Sequence, residues 1–230
     1  MSEDLRTYVA DVGDQARSFK VHGFVRSVIR TLGFRYFRVE VIDGHHLNTP
    51  GATIIAPVHR SNLDSPLVAG ACERRFRVLA KESLFANKPV SWFIAALGAY
   101  PVERGAADRE AMRVMRGFLD RGDALLVFPE GTRQEGDMIG EIFDGTAFLA
   151  SKGKAKVIPV GIAGTGESMP TGTKLPKRTP VVMVVGEPLD PPGADGKRVP
   201  RSALADFTDQ IRDALQAVLD DANERSRARS

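Results

Sequence analysis

The chain has 230 residues, of which 43% are hydrophobic and 27% are charged. This mix excludes a disordered chain and suits a globular protein with a sizeable core, and the length favours one domain over two. The net charge of +3 indicates no particular partner, and the single cysteine excludes an intrachain disulfide, so a reducing compartment is expected.

The first 40 residues divide into a polar tail and a basic, apolar segment. Residues 1–18 are polar and are expected to be mobile or loosely docked. They lack the basic start and apolar run of a signal peptide, and no stretch reaches the ~18 apolar residues of a membrane span. From residue 21 onward the apolar residues recur at helical spacing: Val21, Phe24, Val25, Val28, Ile29 and Leu32.

Basic residues accompany this predicted helix, and residues 19–38 contain no acidic residue. An amphipathic helix of this kind either packs its apolar face on the domain's own core or lies on a membrane surface with its cations at anionic lipid. Both interpretations stay open at this point. A nucleic-acid-binding surface is not expected, because the basic residues Lys20, Arg26 and Arg30 are interleaved with aliphatic ones rather than with stacking aromatics.

Strand and helix patterns alternate along the rest of the chain. A first strand is predicted where Phe37, Val39 and Val41 alternate with other residues, and helices are predicted over residues 66–72, 89–97, 106–119 and 144–152. Further strands are predicted over residues 53–58, 77–80, 99–102, 124–128, 157–162 and 181–185. This order predicts an α/β fold, a single domain with a mostly parallel central sheet flanked by helices.

The predicted organisation has three parts. Residues 1–40 are the polar tail and amphipathic segment, residues 41–192 an α/β domain, and residues 193–230 a C-terminal helix and tail packed on the same domain. The last helix carries a stripe best explained by core packing: Leu204, Phe207, Ile211, Leu215 and Val218. Residues 221–230 are polar and are expected to fray.

A histidine and an aspartate follow the predicted strand at residues 53–58. His59 and Asp64 are five residues apart, which would separate them on a continuous helix but lets them face each other across a strand-to-helix turn. An aspartate that accepts a hydrogen bond from one imidazole nitrogen leaves the other nitrogen free as a base. The alternative is structural, with Asp64 as a helix cap and His59 as a turn residue.

A second polar group follows the strand at residues 124–128, at the end of a strand where open α/β sheets bind ligands. Gly131 permits close backbone approach, Glu130 and Thr132 can bond hydroxyl groups, and Arg133 can hold a phosphate by two parallel hydrogen bonds. An ordinary turn with an exposed salt bridge is the alternative. Arg104 similarly follows the strand at residues 99–102, where an arginine either meets an anion or is simply solvated.

These segments, in this order, resemble the glycerolipid acyltransferase family, and specifically its 1-acylglycerol-3-phosphate acyltransferases. The family's motifs are matched by His59 and Asp64, by Gly98, Val102 and Arg104, by Pro129 to Arg133 letter for letter, and by the proline-bearing apolar strand at 157–162. Lys81 resembles a family lysine that helps to bind phosphate. The chain departs from the family at Val58, where asparagine is frequent, and at Gln134, where serine is common.

The resemblance implies a reaction and roles for these residues. A fatty acyl group would pass from acyl-CoA or acyl carrier protein to the free hydroxyl of lysophosphatidic acid, with His59 as general base and Asp64 orienting it. Lys81, Arg104, Glu130, Gly131, Thr132 and Arg133 would bind the acceptor. The resemblance implies that residues 41–192 are the catalytic domain, that the N-terminal amphipathic helix docks on a membrane, and that the protein is peripheral or monotopic on the cytoplasmic face. It implies no cofactor. No metal is expected, because the four histidines lack ligand spacing with cysteine or acidic residues.

Three alternatives remain open from the sequence. The acceptor could be glycerol 3-phosphate or a lysophospholipid. Alternatively the same scaffold could hydrolyse acyl thioesters or lipid esters, which would need His59 but no phosphate-binding arginines. A catalytically silent lipid-binding protein is the third, against which the intact His59, Asp64 and Glu130 argue.

Overall fold

A computed structural model describes residues 3–102, 109–193 and 199–229. Its centre is one sheet of seven strands: β1 (Glu40–Ile42), β2 (Thr53–Pro57), β3 (Phe76–Lys81), β4 (Ala99–Val102), β5 (Ala124–Leu126), β6 (Lys156–Ala163) and β7 (Val182–Val185). The strand order is β1-β7-β6-β2-β5-β3-β4. Strands β2 to β6 run parallel to one another, and β7, with β1 parallel to it, runs against β6. The predicted mostly parallel sheet is confirmed.

Helices flank this sheet: α1 (Glu3–Asp14), α2 (Ala16–Val28), α3 (Phe34–Tyr36), α4 (Asp64–Ala71), α5 (Lys88–Ala96), α6 (Arg109–Asp120), α7 (Gly145–Gly153), α8 (Thr165–Ser168) and α9 (Arg201–Arg227). A π-helical turn, Ile29–Gly33, joins α2 to α3, and short 3₁₀ segments lie at Gly44–Asn48 and Glu82–Phe85. Helices α1, α2 and α5 contact one another, and α7 contacts both α6 and α9. None of the described helices has both the length and the apolar character of a membrane span.

Burial explains why the central strands have continuous apolar sequences. Every residue of β2 is buried, because its neighbours β5 and β6 shield its edges and helices cover its faces. Helix α9 lies closely on β6, where a Cβ on Gly161 would come within 2.2 Å of the Val218 carbonyl oxygen. Only glycine fits there. The predicted core stripe of α9 is confirmed by the buried Phe207, Ile211 and Leu215.

The two ends of the chain are more ordered than the sequence indicated. Residues 3–14 form helix α1 rather than a loose tail, and Val9 and Val12 are each only 2% exposed. The polar composition was misleading because two valines three residues apart suffice to attach a short helix to α5 and β4. At the other end α9 continues to Arg227, and the buried Ala222 shows that residues beyond 220 do not fray as predicted.

The first strand is shorter than its alternating pattern indicated. The helical run continues through α3 to Tyr36, and Arg38 adopts a left-handed backbone conformation with φ of 48°. This turn redirects the chain toward the sheet, so β1 begins only at Glu40, whose N–H donates to the Val181 carbonyl. The alternation over residues 37–41 therefore reflects a turn whose apolar residues face the core.

The apolar residues of the N-terminal helical segment divide between two sides. Val21 and Ile29 are partly buried and pack on the core. Phe24, Val28 and Leu32 point to solvent and are 71%, 39% and 64% exposed. Core packing therefore accounts for the first pair only, and a separate apolar stripe faces outward.

Candidate active site

One carboxylate oxygen organises the turn that follows β2. Asp64 is the first residue of α4 and is fully buried. Its Oδ2 lies 3.0 Å from Nδ1 of His59 and accepts the backbone N–H groups of Arg60 and Ser61, each at 2.8 Å. The strand-to-helix turn thus brings His59 and Asp64 face to face, as the sequence predicted.

The imidazole of His59 is fixed in two directions and open in a third. Its ring stacks on Phe128 at a centroid distance of 3.9 Å and an interplanar angle of 21°. Because Nδ1 faces a carboxylate, we assign the proton to Nδ1, which leaves Nε2 as the free acceptor. The side chain is 18% exposed, so a substrate hydroxyl can approach Nε2.

Beneath the turn lies a buried ion pair whose arginine the sequence interpretation missed. Nη1 of Arg60 is 3.0 and 2.9 Å from the two carboxylate oxygens of Glu130, and both side chains are nearly inaccessible. The Glu130 carboxylate also accepts the backbone N–H groups of His59, at 2.9 Å, and of Gly140, at 3.1 Å. A buried carboxylate needs a charged partner. The position of Arg60 between His59 and Asp64 was the one feature of the sequence that could have indicated this ion pair.

This pair changes what Glu130 can do. The sequence predicted that its carboxylate contacts the substrate, whereas both oxygens are occupied by protein donors and the residue is 1% exposed. The remaining N–H groups of Arg60 donate to the carbonyls of Gly136 and Met138. The geometry therefore favours Glu130 as a support that ties the His59 backbone to the loop after β5.

The other residues of that loop face outward. Gly131 has a positive φ of 67°, a conformation suited to glycine, and turns the chain so that Thr132 and Arg133 are exposed. The backbone N–H of Gln134 donates to the His59 carbonyl at 2.8 Å, which keeps the loop beside the histidine. Within the described ranges Arg133 has no acidic partner, so its guanidinium is available to an anion.

Sheet order places a second cation near Arg133. Strands β2, β5, β3 and β4 are consecutive neighbours, spaced at about 4.8 Å, and their carboxyl ends share one edge of the sheet. Lys81, the last residue of β3, is exposed at this edge. Arg104, two residues after the end of β4 in the sequence, lies outside the residues that the structure describes.

The remaining predictions concern apolar lining and metals. Strand β6 lies directly beside β2 and is buried from Val157 onward, so it supports the site from below. Across residues 3–102, 109–193 and 199–229 no group of three or more His, Cys, Asp or Glu side chains has a metal-binding arrangement.

Comparison with known proteins is consistent with this geometry. A family model described as Acyltransferase matches residues 38–163. The chain is 27% identical over 182 residues to the 1-acyl-sn-glycerol-3-phosphate acyltransferase of Bacillus subtilis, covering 78% of this chain and 87% of that protein. It is 32% identical over 140 residues to the protein of the same name from Streptococcus pneumoniae, covering 60% of this chain but only 49%, about half, of that relative.

A solved structure shares the fold over almost the whole chain. The crystal structure of the 1-acyl-sn-glycerophosphate (LPA) acyltransferase PlsC from Thermotoga maritima matches with a TM-score of 0.69 and 25% identity. The match covers 93% of this chain and 88% of that protein.

Proposed function

This chain belongs to the acyltransferase family and is an O-acyltransferase, and we propose that it acylates the free hydroxyl of 1-acylglycerol 3-phosphate, giving phosphatidic acid. The donor is a fatty acyl thioester, either acyl-CoA or acyl carrier protein. The observation that carries the proposal is the hydrogen-bonded His59–Asp64 pair beside the outward-facing cation of Arg133. The names of the relatives, 1-acyl-sn-glycerol-3-phosphate acyltransferases, support this acceptor.

The proposed reaction is a direct transfer. Nε2 of His59 takes the proton from the acceptor hydroxyl as its oxygen attacks the thioester carbonyl carbon. The tetrahedral intermediate then collapses, the carbon–sulfur bond breaks, and the imidazolium returns the proton to the leaving thiolate. An ester and a free thiol result, and no acyl-enzyme intermediate forms.

Asp64 and Glu130 support His59 from two sides. The Asp64 carboxylate holds the proton on Nδ1 and stabilises the imidazolium that forms during attack. Glu130, paired with Arg60, fixes the backbone N–H of His59 and hence the position from which the imidazole projects. A residue supporting the base from below would affect kcat more than acceptor binding.

The acceptor phosphate is assigned to Arg133, Lys81 and Arg104. Lys81 ends β3, while Arg133 and Arg104 come after β5 and β4 in the sequence, and these strands lie consecutively beside β2, which His59 follows. Phosphate held there places the glycerol hydroxyl toward β2, and such positioning can supply a large part of a rate enhancement. In this proposal the exposed Thr132 bonds a glycerol oxygen.

The outward stripe of the N-terminal segment is proposed to lie on the cytoplasmic face of a membrane. Phe24, Val28 and Leu32 are exposed, and six basic residues without one acidic residue lie within residues 15–39. Apolar side chains beside cations suit an anionic interface, at about 1 kcal/mol per basic residue near the surface. Lipid substrates would reach His59 from that interface.

Loss of the phosphate contact tests the assignment. Arg133→Ala should raise KM for 1-acylglycerol 3-phosphate about 10- to 100-fold, since a hydrogen bond to a charged group contributes about 1.5–3 kcal/mol. KM for palmitoyl-CoA should stay unchanged. Arg116→Ala on α6, whose exposed side chain pairs with Asp120, is the matched control and should leave both constants unchanged.

The acceptor lacking a phosphate completes the test. Wild-type protein should acylate 1-acylglycerol far more slowly than its 3-phosphate, and Arg133→Ala should narrow that difference. Equal use of the two acceptors by the wild type would remove the phosphate site and favour another alcohol as acceptor. Thiol release that needs no acceptor at all would indicate a hydrolase.

A further inference from the structure

The connection between β6 and β7 has a composition that its role as a linker does not require. Residues 169–180, hereafter the β6–β7 loop, contain Lys174, Lys177 and Arg178, and no acidic residue occurs from residue 168 to residue 186. At its tip Leu175 is 83% exposed, more than any other large apolar side chain that the structure describes. A single exposed leucine is common in soluble proteins, but one that lies beside further exposed apolar side chains indicates an interaction surface.

The loop holds a defined shape. Ser168 and Lys177 exchange backbone and side-chain contacts: the Lys177 N–H donates to the Ser168 carbonyl at 2.7 Å, and Ser168 Oγ donates to the Lys177 carbonyl at 2.6 Å. Inside this closure Thr173 donates twice to the Pro170 carbonyl. The tip that carries Leu175 is therefore presented on a closed, internally bonded turn.

The loop adjoins the outward stripe of the N-terminal segment. The Tyr36 hydroxyl donates to the Pro176 carbonyl at 3.4 Å, and Nε of Arg178 donates to the Tyr36 carbonyl at 3.2 Å. Tyr36 itself is 45% exposed and continues the spacing of Phe24, Val28 and Leu32 by four residues. Tyr36 thus connects this stripe to the loop, one residue away from Leu175.

The loop is also attached to the catalytic turn. Ser61 Oγ donates to the Met169 carbonyl at 3.0 Å, while the Ser61 backbone N–H donates to Asp64. One short segment therefore links the turn that holds His59 with the helix proposed to lie on the membrane. A contact at the loop tip would fix the orientation of that turn relative to a lipid surface.

We propose that the β6–β7 loop is a second membrane contact, in which Leu175 enters the interface and Lys174, Lys177 and Arg178 meet anionic headgroups. Two contacts on different elements prevent rotation about the axis of α2, which a single helix stripe would allow. The proposal rests on the proposed function only for the lipid nature of the acceptor. The match of positive loop to anionic surface is what selects a membrane as the partner.

Vesicle binding tests the contact without relying on activity. Leu175→Ser and Lys174→Ser should each weaken binding to vesicles of phosphatidylcholine mixed with phosphatidylglycerol, about fivefold for the lysine, which corresponds to about 1 kcal/mol per basic residue near an anionic surface. Lys154→Ser is the matched charge control, because Lys154 is exposed beside the amino end of β6. Equal binding by Lys174→Ser and Lys154→Ser, with Leu175→Ser unchanged, would overturn the proposal.

Turnover separates membrane contact from an effect on the catalytic turn. Leu175→Ser should lose activity on 1-acylglycerol 3-phosphate embedded in vesicles and keep it on a short-chain acceptor dissolved as monomers. Equal loss on both acceptors would mean that the loop acts through Ser61, and would contradict the proposal. If the wild type acylates neither acceptor, the proposed function fails, while the vesicle-binding comparison still decides the contact.

An acidic protein is the competing partner for a basic loop. Unchanged vesicle binding combined with lost turnover only for the acyl carrier protein thioester would assign the loop to a protein donor and overturn the membrane contact. Thermal unfolding of each variant at the wild-type temperature confirms that the loop substitutions leave the fold intact.

Discussion

Replacing Asp64 by asparagine separates the charge of this side chain from its geometry. Oδ2 accepts three hydrogen bonds, from the imidazole of His59 and from the N–H groups of Arg60 and Ser61. An asparagine amide nitrogen at that position would leave two buried N–H donors unsatisfied, at about 1–3 kcal/mol each. The carbonyl oxygen accepts all three, so we expect the oxygen to occupy the position of Oδ2.

The size of the effect follows from this orientation. With the amide oxygen facing the imidazole, His59 keeps its proton on Nδ1 and a free lone pair on Nε2. Only the negative charge of the group that accepts the Nδ1 hydrogen bond is lost. Since charge-assisted hydrogen bonds are about twice as strong as neutral ones, the imidazolium loses about 1.5–3 kcal/mol of stabilisation, or about 10- to 100-fold in kcat. In catalytic triads, where the same substitution reverses the tautomer, the loss is about 10⁴-fold.

The substitution should also lower stability. The amide nitrogen takes the place of Oδ1, which is buried and has no hydrogen-bond partner in the described structure. Since that site is unpaired already, the loss comes from the three hydrogen bonds whose acceptor is no longer charged, and the free energy of unfolding should fall by about 1–3 kcal/mol in urea denaturation. Kinetics would be measured as acceptor-dependent thiol release, with His59→Ala as the inactive baseline. A folded Asp64→Asn protein with a loss near 10⁴-fold, or with none, would refute this reasoning.

Three substitutions test packing and electrostatics. Arg60→Met leaves the Glu130 carboxylate buried and unpaired, and should cost about 3–5 kcal/mol in urea; Arg60→Met with Glu130→Gln should recover part of this, and no recovery would contradict the pairing. Burial and neighbouring arginine charges hold the pKa of His22 at about 4, against an ordinary 6.5. Only the unfolded chain takes up this proton as the pH falls from about 6.5 to about 4, so the free energy of unfolding decreases over that range. His22→Gln should remove about 2–3 kcal/mol of the decrease between about pH 7 and pH 4.5. The same decrease in wild type and variant would contradict this assignment. Gly161→Ala should lower the unfolding temperature through a cost of about 1–3 kcal/mol or more, whereas Gly117→Ala on exposed α6, with no atom within 4 Å of the added Cβ, should raise it.

Strand ends were the part of the site that the sequence predicted well. Strong apolar runs located the strands, and parallel strands bring their carboxyl ends to one edge. This reasoning predicted that His59 and Arg133 lie at the same edge, whereas Lys81 was proposed only from the family resemblance. The spacing of His59 and Asp64 was decided by the turn after β2, which a local pattern can suggest because both residues lie within it.

Contacts between residues far apart in the chain could not be predicted from the sequence. Glu130 looked like a substrate contact because its loop emerges at the binding edge, and only the fold shows Arg60, 70 residues earlier, satisfying it from beneath. Helix α1 looked loose because its docking depends on a surface formed by α5 and β4. The composition of a segment shows whether it has apolar residues to bury, but not whether the folded domain offers a complementary surface on which they can pack.

The β6–β7 loop is a second case in which contacts between distant residues could not be predicted from the sequence. Residues 169–180 contain the proline, glycine and polar residues that are typical of a surface loop. From the sequence alone, such a segment is interpreted as a simple connection between two strands. Its importance comes from hydrogen bonds to Tyr36 and Ser61, which lie 140 and 108 residues away from their partners. A loop's neighbours, more than its composition, indicate its function.

The most direct test of the whole account is thiol release from palmitoyl-CoA, with and without 1-acylglycerol 3-phosphate, combined with mass analysis of the lipid product. The account predicts release that depends on the acceptor, formation of phosphatidic acid in equal amount, and loss of both in folded His59→Ala protein. Release without acceptor, or full activity in His59→Ala, would contradict it.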